Sequence, residues 1–203
     1  YYYPVEYMAA LMTSVIDNPG KVAEYIYSCR QMGIKILPPD INHGYSSFSV
    51  DNGSIRYGLA AIKSIGRPVI KEIVAERKVN GEFKNLKDFI ERMSGKDINK
   101  RTIENFIKSG AFDELGGTRK QFMVIYVQIL DQVNREKKNS MTGQMSLFDI
   151  VGEEQKSEFD IPLPNVGEYE KSTKLAFEKE VLGIYLSGHP MEEYEEQWRK
   201  GIS

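Results

Sequence analysis

Apolar positions recur at helical spacing in two blocks near the start of the chain. Residues 5–17 carry an apolar side chain at about every third or fourth position, which predicts an amphipathic helix. Asn18-Pro19-Gly20 breaks that pattern, and a second helix is predicted over residues 20–32. The apolar run at residues 34–37 then predicts a short strand, because the two prolines that follow it cannot donate ladder hydrogen bonds.

The next pattern has the period of a β-strand. Residues 48–50 and 55–57 alternate in character and are joined across Asp51-Asn52-Gly53. Because an Asn-Gly pair tolerates the positive φ angles of a tight turn, we expect a β-hairpin here. Beyond it the period becomes helical, with glycines in the connections. The predicted helices are 58–63, 67–79, 86–93, 99–109 and 118–137.

The last third of the chain changes character twice. Residues 138–167 lose periodicity and contain Asn, Ser, Gly and Glu with two prolines, which predicts a mobile linker. A helix is predicted over residues 168–182, followed by a turn region and a short acidic helix at 191–199. The predicted fold class is therefore mainly α, with one small β-hairpin.

Composition and charge refine this picture. Hydrophobic residues make up 41% of the chain and charged residues 28%, as in ordinary globular proteins. No apolar run approaches the roughly 18 residues of a membrane span, so we expect no membrane partner. The net charge is only −2, but residues 56–120 hold 15 Lys and Arg against 9 Asp and Glu. This local excess of about +6 indicates a surface that faces nucleic acid.

The basic stretch contains a helix, a glycine turn and a second helix. Ile65-Gly66 forms the turn, with Lys63, Ser64, Arg67 and Lys71 around it. Free N–H groups at the start of a helix attract anions, and a glycine lets a phosphate approach the backbone closely. These residues are therefore candidates for sequence-independent DNA binding. A plain helical hairpin with a solvated charged face explains the same pattern.

A second, weaker copy covers residues 98–112. Lys100 and Arg101 add positive charge at its start, and Gly110 is predicted to cap the end of its helix. Two packed hairpins could contact the two strands of a duplex. We expect them to share one core formed by Ile62, Ile65, Ile73, Phe89, Ile103, Phe106 and Phe112.

The predicted linker contains a short apolar peptide. Its residues are Gln144, Met145, Ser146, Leu147 and Phe148. Two large apolar side chains in a polar linker are typical of a docking peptide, in which Leu and Phe anchor in a pocket and Gln bonds at its rim. The alternative is a tether that folds back onto the core of the same chain.

Residues for catalysis are not predicted. The sequence holds no glycine-rich nucleotide loop, no Cys/His cluster, and no acid pair spaced as in two-metal phosphoryl-transfer sites. We therefore expect no catalytic residue, metal site or cofactor in this chain. Its single cysteine, Cys29, also rules out an internal disulfide.

Five blocks in order resemble the alpha subunits of bacterial DNA polymerase III, of the DnaE type. They are residues 3–10, 32–42, 56–63, 108–113 and 178–190, including Gly183-Ile184-Tyr185-Leu186-Ser187-Gly188-His189-Pro190. The resemblance covers nearly the whole chain. The first residue is Tyr1 rather than an initiator Met, so we expect a segment of a longer protein.

The resemblance implies a domain map and partners. Residues 1–45 would end a fingers domain, 46–137 would form a tandem helix-hairpin-helix domain on duplex DNA, 138–167 would be a linker, and 168–203 would lead to an OB-fold. Residues 144–148 would bind the sliding clamp (the beta subunit). The whole polymerase would be a cytoplasmic nucleotidyltransferase that uses Mg²⁺ and binds other replisome subunits, with its catalytic aspartates on a palm domain absent here.

One departure from the family concerns Ser64, where such hairpins often have glycine. Serine is less permissive at positive φ, which affects the expected phosphate-binding geometry. A rival function is a scaffold whose hairpins bind protein. A steep dependence of binding on salt would distinguish the two, because it is expected of phosphate contacts.

Overall fold

The computed structural model describes residues 2–141 and 161–189. This part of the chain is mainly helical with one small sheet, as predicted. The helices are α1 (Pro4–Ser14), α2 (Pro19–Gln31), α3 (Arg67–Asn80), α4 (Leu86–Met93), α5 (Lys100–Ser109), α6 (Arg119–Met141) and α7 (Lys171–Leu182). The strands are β1 (Ile36–Leu37), β2 (Ser49–Asp51) and β3 (Ser54–Arg56), and a 3-10 turn lies at Leu59–Ala61.

Local sequence signals set the ends of the first two helices. Each begins with a proline in its first turn, where the missing N–H costs no hydrogen bond. Asn18 caps α2 by accepting a hydrogen bond from the Lys21 N–H at 3.2 Å. Gly33 follows α2 at φ 74°, a left-handed conformation that glycine adopts without strain.

The sheet joins the predicted hairpin to the predicted strand. Strands β2 and β3 are antiparallel, with Val50 opposite Ile55, and Asn52 and Gly53 turn between them at positive φ. Strand β1 pairs in parallel with β3, which the sequence did not predict. The sheet therefore spans the predicted domain boundary near residue 45, and that boundary stays a prediction.

Helices α3 to α6 enclose an aromatic core. The Phe89 ring meets Phe112 edge-on at 4.9 Å between centroids, and Phe106 at 6.1 Å. The expected joint core of the two hairpins is confirmed, since all of its members are buried: Ile62, Ile65, Ile73, Phe89, Ile103, Phe106 and Phe112.

Several predicted helix boundaries differ from the structure: α1 ends at Ser14 rather than at residue 17, and α7 begins at Lys171 rather than at residue 168. The helix expected over residues 58–63 is wrong, because only Leu59–Ala61 forms a 3-10 turn. Ile62 is extended (φ −76°, ψ 126°) and Ser64 is left-handed, so the backbone leaves helical geometry to enter the turn. Helix α6 continues to Met141, four residues beyond its predicted end, and Lys137 donates to the Ser94 carbonyl at 2.9 Å.

The segment after residue 160 packs on the hairpins. Residues 161–167, expected to be linker, contact the start of α6: the carbonyl oxygens of Pro164 and Gly167 accept hydrogen bonds from Gln121 and Thr118. Helix α7 lies against α5. Residues 191–199 lie outside the described part. Among the described helices, none combines the length and apolar character of a membrane span.

Candidate nucleic-acid interface

The turn of the first hairpin is held from two sides. The main-chain N–H of Lys63 donates to the Val181 carbonyl at 2.8 Å, and its carbonyl accepts from the side-chain amide of Asn105 at 2.7 Å. The next residue, Ser64, has φ 63°. The departure noted in the sequence therefore falls on a backbone position that favours glycine. Helices α5 and α7 together fix where the turn lies.

Helix α3 begins directly after this turn without a side-chain cap. Gly66 is its N-cap residue, extended at φ −73° and ψ 141°, and its carbonyl accepts the first helical hydrogen bond from Ile70. The N–H groups of this first turn and the positive end of the helix dipole suit an anion. Arg67 lies here, in a 3.2 Å ion pair with Asp17 whose side chains are 65% and 81% exposed. Such an exposed pair is weak and leaves the guanidinium accessible.

Four predicted residues from different parts of the sequence line one groove. Lys63 and Ser64 come from the turn, and Lys100 and Arg101 from the first turn of α5. The groove has a volume of about 550 Å³. Asn99 fixes the start of α5 by accepting from the Thr102 N–H at 2.9 Å. The structure thus brings together basic residues that are nearly forty positions apart.

The same groove contains residues that the sequence did not single out as site residues. Lys108 lies between Glu104 and Glu180, at 2.9 Å from each. Burial lowers the pKa of Lys108, but its hydrogen bonds to the two glutamates outweigh burial and raise it. Tyr126 and Asn105 complete this side. Sequence periodicity could not predict this full set of lining residues, because Glu180 reaches the groove only through the long-range docking of α7.

The ammonium groups of the groove differ in how far they are neutralised. Lys108 is held by two carboxylates, and Lys100 lies 3.8 Å from Asp131 in an exposed pair. Within the described residues, Lys63 and Arg101 have no ion-pair partner. The unneutralised positive charge of the groove is therefore concentrated at these two side chains.

Lys71 lies in a second groove of about 490 Å³, beside Lys96 at the turn before α5. The structure therefore does not place Lys71 with Lys63. Lys96 pairs with Glu76 at 2.7 Å. Hydrogen bonds from Lys96, Asn80 and Arg92 lower the pKa of Glu76 from 4.5 to about 2.

The second hairpin, formed by α5 and α6, is built differently. Gly110 caps α5 at φ 85°, as predicted. Arg119 at the start of α6 is only 3% exposed, and it pairs with Asp113 at 2.8 Å and with Glu178 at 3.3 Å. The positive charge of Arg119 is thus neutralised inside the protein.

Other predicted features fall outside this interface. The docking peptide, Gln144 to Phe148, lies outside the described residues. Within residues 2–141 and 161–189, no group of three or more His, Cys, Asp and Glu side chains could hold a metal ion.

Comparisons with known proteins agree with the hairpin geometry. Residues 33–122 match the family model of the helix-hairpin-helix motif. Over 202 residues the chain is 41% identical to DNA polymerase III subunit alpha of Campylobacter jejuni, covering 97% of this chain and 16% of the relative. Over nearly its whole length, the chain is related to the DNA polymerase III alpha subunit.

Relatives from distant bacteria carry the same name. DNA polymerase III subunit alpha of Escherichia coli is 39% identical over 194 residues, which cover 95% of the chain. That of Mycobacterium leprae is 39% identical over 186 residues, which cover 92%. The chain spans about one sixth of these polymerase alpha subunits, at 16% to 17% of their length. The described elements thus correspond to one segment of the polymerase subunit.

Proposed function

We propose that this chain is a DNA-holding, clamp-docking segment of a bacterial replicative DNA polymerase. One observation carries the DNA-binding part. Lys63 and Arg101 converge in one groove, although they come from different hairpins, and the turn that carries Lys63 leads directly into the uncapped start of α3. A row of cations next to free backbone N–H groups fits the phosphates of a duplex.

The binding is mechanical rather than sequence-reading. Lysine, arginine and backbone N–H groups position a phosphate chain without contacting the edges of bases. The segment would hold the duplex that the polymerase has just made, while chemistry occurs elsewhere in the parent protein. That parent would be a cytoplasmic DNA-directed DNA polymerase whose Mg²⁺ site lies on another domain.

A charge-reversal experiment tests duplex binding. Lys63→Glu combined with Arg67→Glu should weaken binding to a fluorescent DNA duplex by roughly tenfold or more, because each change replaces an attraction by a repulsion. Lys78→Glu with Lys84→Glu is the control, since both residues are exposed and neither lines the groove or lies at the start of α3. Equal losses in the two double variants would reject the interface. If the chain bound a protein partner but no DNA, the alternative function as a protein-binding scaffold would be favoured.

Docking on the sliding clamp, the beta subunit, is the second part of the proposal. It rests on Gln144 to Phe148 and on the position of this peptide in the sequence between α6, which belongs to the second hairpin, and residues 164–169, which bond to the start of α6. A peptide tethered this way would raise the effective concentration of the duplex site near a ring on DNA. Two weak contacts would then act as one strong one.

Clamp docking is tested with purified sliding clamp and the 203-residue chain. Leu147→Ala with Phe148→Ala should abolish binding, because these side chains are the proposed anchors. Val79→Ala with Val124→Ala, two exposed apolar residues outside the peptide, is a control for general loss of apolar surface and should retain most of the affinity. Unchanged clamp binding in the Leu147/Phe148 variant would reduce the peptide to a tether and leave duplex binding unaffected.

A further inference from the structure

A carboxylate of the chain itself lies at the start of the second hairpin's helix. Glu168 accepts hydrogen bonds from the main-chain N–H groups of Arg119 at 3.3 Å and Lys120 at 3.2 Å. These are the first two residues of α6, a helix of 23 residues. Glu168 also accepts from the Tyr169 N–H at 2.7 Å. Burial raises the pKa of Glu168, and the three backbone donors outweigh it, so the pKa is lowered and the group stays ionised.

The neighbouring residues hold this carboxylate in place and cover the surface around it. Thr118 Oγ1 donates to the Gly167 carbonyl at 2.6 Å, and Gln121 Nε2 donates to the Pro164 carbonyl at 2.9 Å. The ring of Tyr169 lies 6.0 Å from Lys120 Nζ. Residues 164–169 therefore lie over the start of α6.

The two hairpins differ at the position where each would meet a phosphate. Helix α3 starts at Gly66 without a side-chain cap and has the exposed Arg67 in its first turn. Helix α6 starts with its N–H groups bonded to Glu168 and with Arg119 buried. A carboxylate and a phosphate both present anionic oxygens to helix N–H groups, so they compete for one place.

We infer that Glu168 is an internal substitute for a phosphate at the start of α6, so that of the two hairpin helix starts, α3 and α6, only that of α3 is open to a phosphate of the duplex. This rests on the proposed duplex binding and adds which helix start takes part in it. The sequence-based hypothesis of one hairpin per strand is thereby replaced by one contact surface, formed by the first hairpin and the start of α5, with α6 and residues 164–169 acting as its support.

The experiment measures the affinity of the 203-residue chain for a short DNA duplex over a range of KCl concentrations. Lys120→Gln should leave the affinity within about twofold and the slope of log K against log salt unchanged, because Lys120 makes no phosphate contact. Arg67→Gln should reduce the slope by about 1. Glu168→Ala should increase affinity several-fold, since it removes a negative charge and frees two N–H donors.

A second measurement keeps the inference testable if Glu168→Ala changes the fold. Glu168→Gln keeps an oxygen acceptor and removes the charge, and inorganic phosphate should raise its Tm more than that of the wild type. Two results would overturn the inference and leave duplex binding standing. One is a Lys120→Gln variant that reduces the salt slope as much as Arg67→Gln does. The other is that neither Glu168 variant changes its DNA affinity or its response to phosphate. If the wild-type chain showed no salt-dependent DNA binding, both this inference and the proposed duplex binding would be rejected.

Discussion

The buried side-chain amide of Asn105 donates a 2.7 Å hydrogen bond to the main-chain carbonyl oxygen of Lys63. The bond joins the two hairpins across 42 positions of sequence and lies in the wall of the basic groove. A neutral residue thus sets the position of the charged ones. Phosphate contacts need this support, because a lysine on a loosened turn is a poorly placed point charge.

Asn105→Ala should lower the free energy of unfolding by about 1 to 3 kcal/mol, because it leaves a carbonyl at the groove wall without its donor. DNA affinity should fall as well, although no charge is removed. Urea denaturation and DNA anisotropy measure the two effects. Gln128→Ala, on the exposed side of α6, is the control and should change neither. Full stability in Asn105→Ala would contradict the role of this bond.

Ser64 lies at φ 63°, in the left-handed region. Ser64→Val should destabilise the chain by about 1 to 2 kcal/mol, because a β-branched side chain clashes with the backbone there. Ser64→Gly should be neutral or slightly stabilising and should keep DNA affinity, since relieved strain is offset by the greater freedom of glycine in the unfolded chain. Thermal unfolding compares the pair. Equal stability of both variants would contradict the left-handed turn.

Glu178 is 1% exposed and joins three parts of the structure. It pairs with Arg119, and it accepts hydrogen bonds from the N–H groups of Leu186 and Ser187. Glu178→Leu should cost about 3 to 5 kcal/mol, because it removes one of the two carboxylate partners of the buried Arg119 and leaves the Leu186 and Ser187 N–H groups without this acceptor. Glu24→Leu, which breaks an exposed pair with Lys21, should cost at most about 1 kcal/mol. Similar losses in urea denaturation would contradict the buried network.

The low pKa of Glu76 gives a pH dependence of known sign. Its pKa is about 2 in the folded chain and near 4.5 when unfolded, so the unfolded state binds the proton first as pH falls. The contribution of Glu76 is complete above pH 4.5 and is lost between pH 4.5 and 2. Glu76→Gln should therefore be less stable than wild type at pH 7, with a difference that shrinks towards pH 2. A difference independent of pH would contradict this network.

Local signals in the sequence account for most of the fold. Apolar residues at helical spacing, Asn52-Gly53 in the turn, and the apolar faces of α3 and α5 predicted these elements and the aromatic core. The 3-10 turn at Leu59–Ala61 was missed because helical periodicity at residues 58–63 does not reveal the backbone angles of Ile62 and Ser64. Those angles are held by α5 and α7, which are distant in sequence.

The site was predicted only as a set of basic residues. The sequence placed Lys63 beside a glycine turn and Lys100 at the start of a helix, but their common groove depends on how the hairpins pack. The neutralisation of Arg119 and Lys108 was only partly predictable. Their partners Asp113 and Glu104 are close in sequence, but Glu178 and Glu180 come from α7. The number of Lys and Arg residues in the sequence therefore overstated the positive charge that is available to DNA.

Duplex binding through phosphates is tested most directly by its dependence on salt. The measurement is the slope of log K against log KCl for wild type and for Lys63→Gln/Lys100→Gln/Arg101→Gln. A matched control is Lys78→Gln/Lys84→Gln/Arg135→Gln, three exposed residues that do not line the groove. We predict a steep wild-type slope, a slope shallower by about 2 to 3 in the groove variant, and little change in the control. Equal slopes in the two triple variants, or a flat wild-type slope, would contradict duplex binding through the phosphates at this groove.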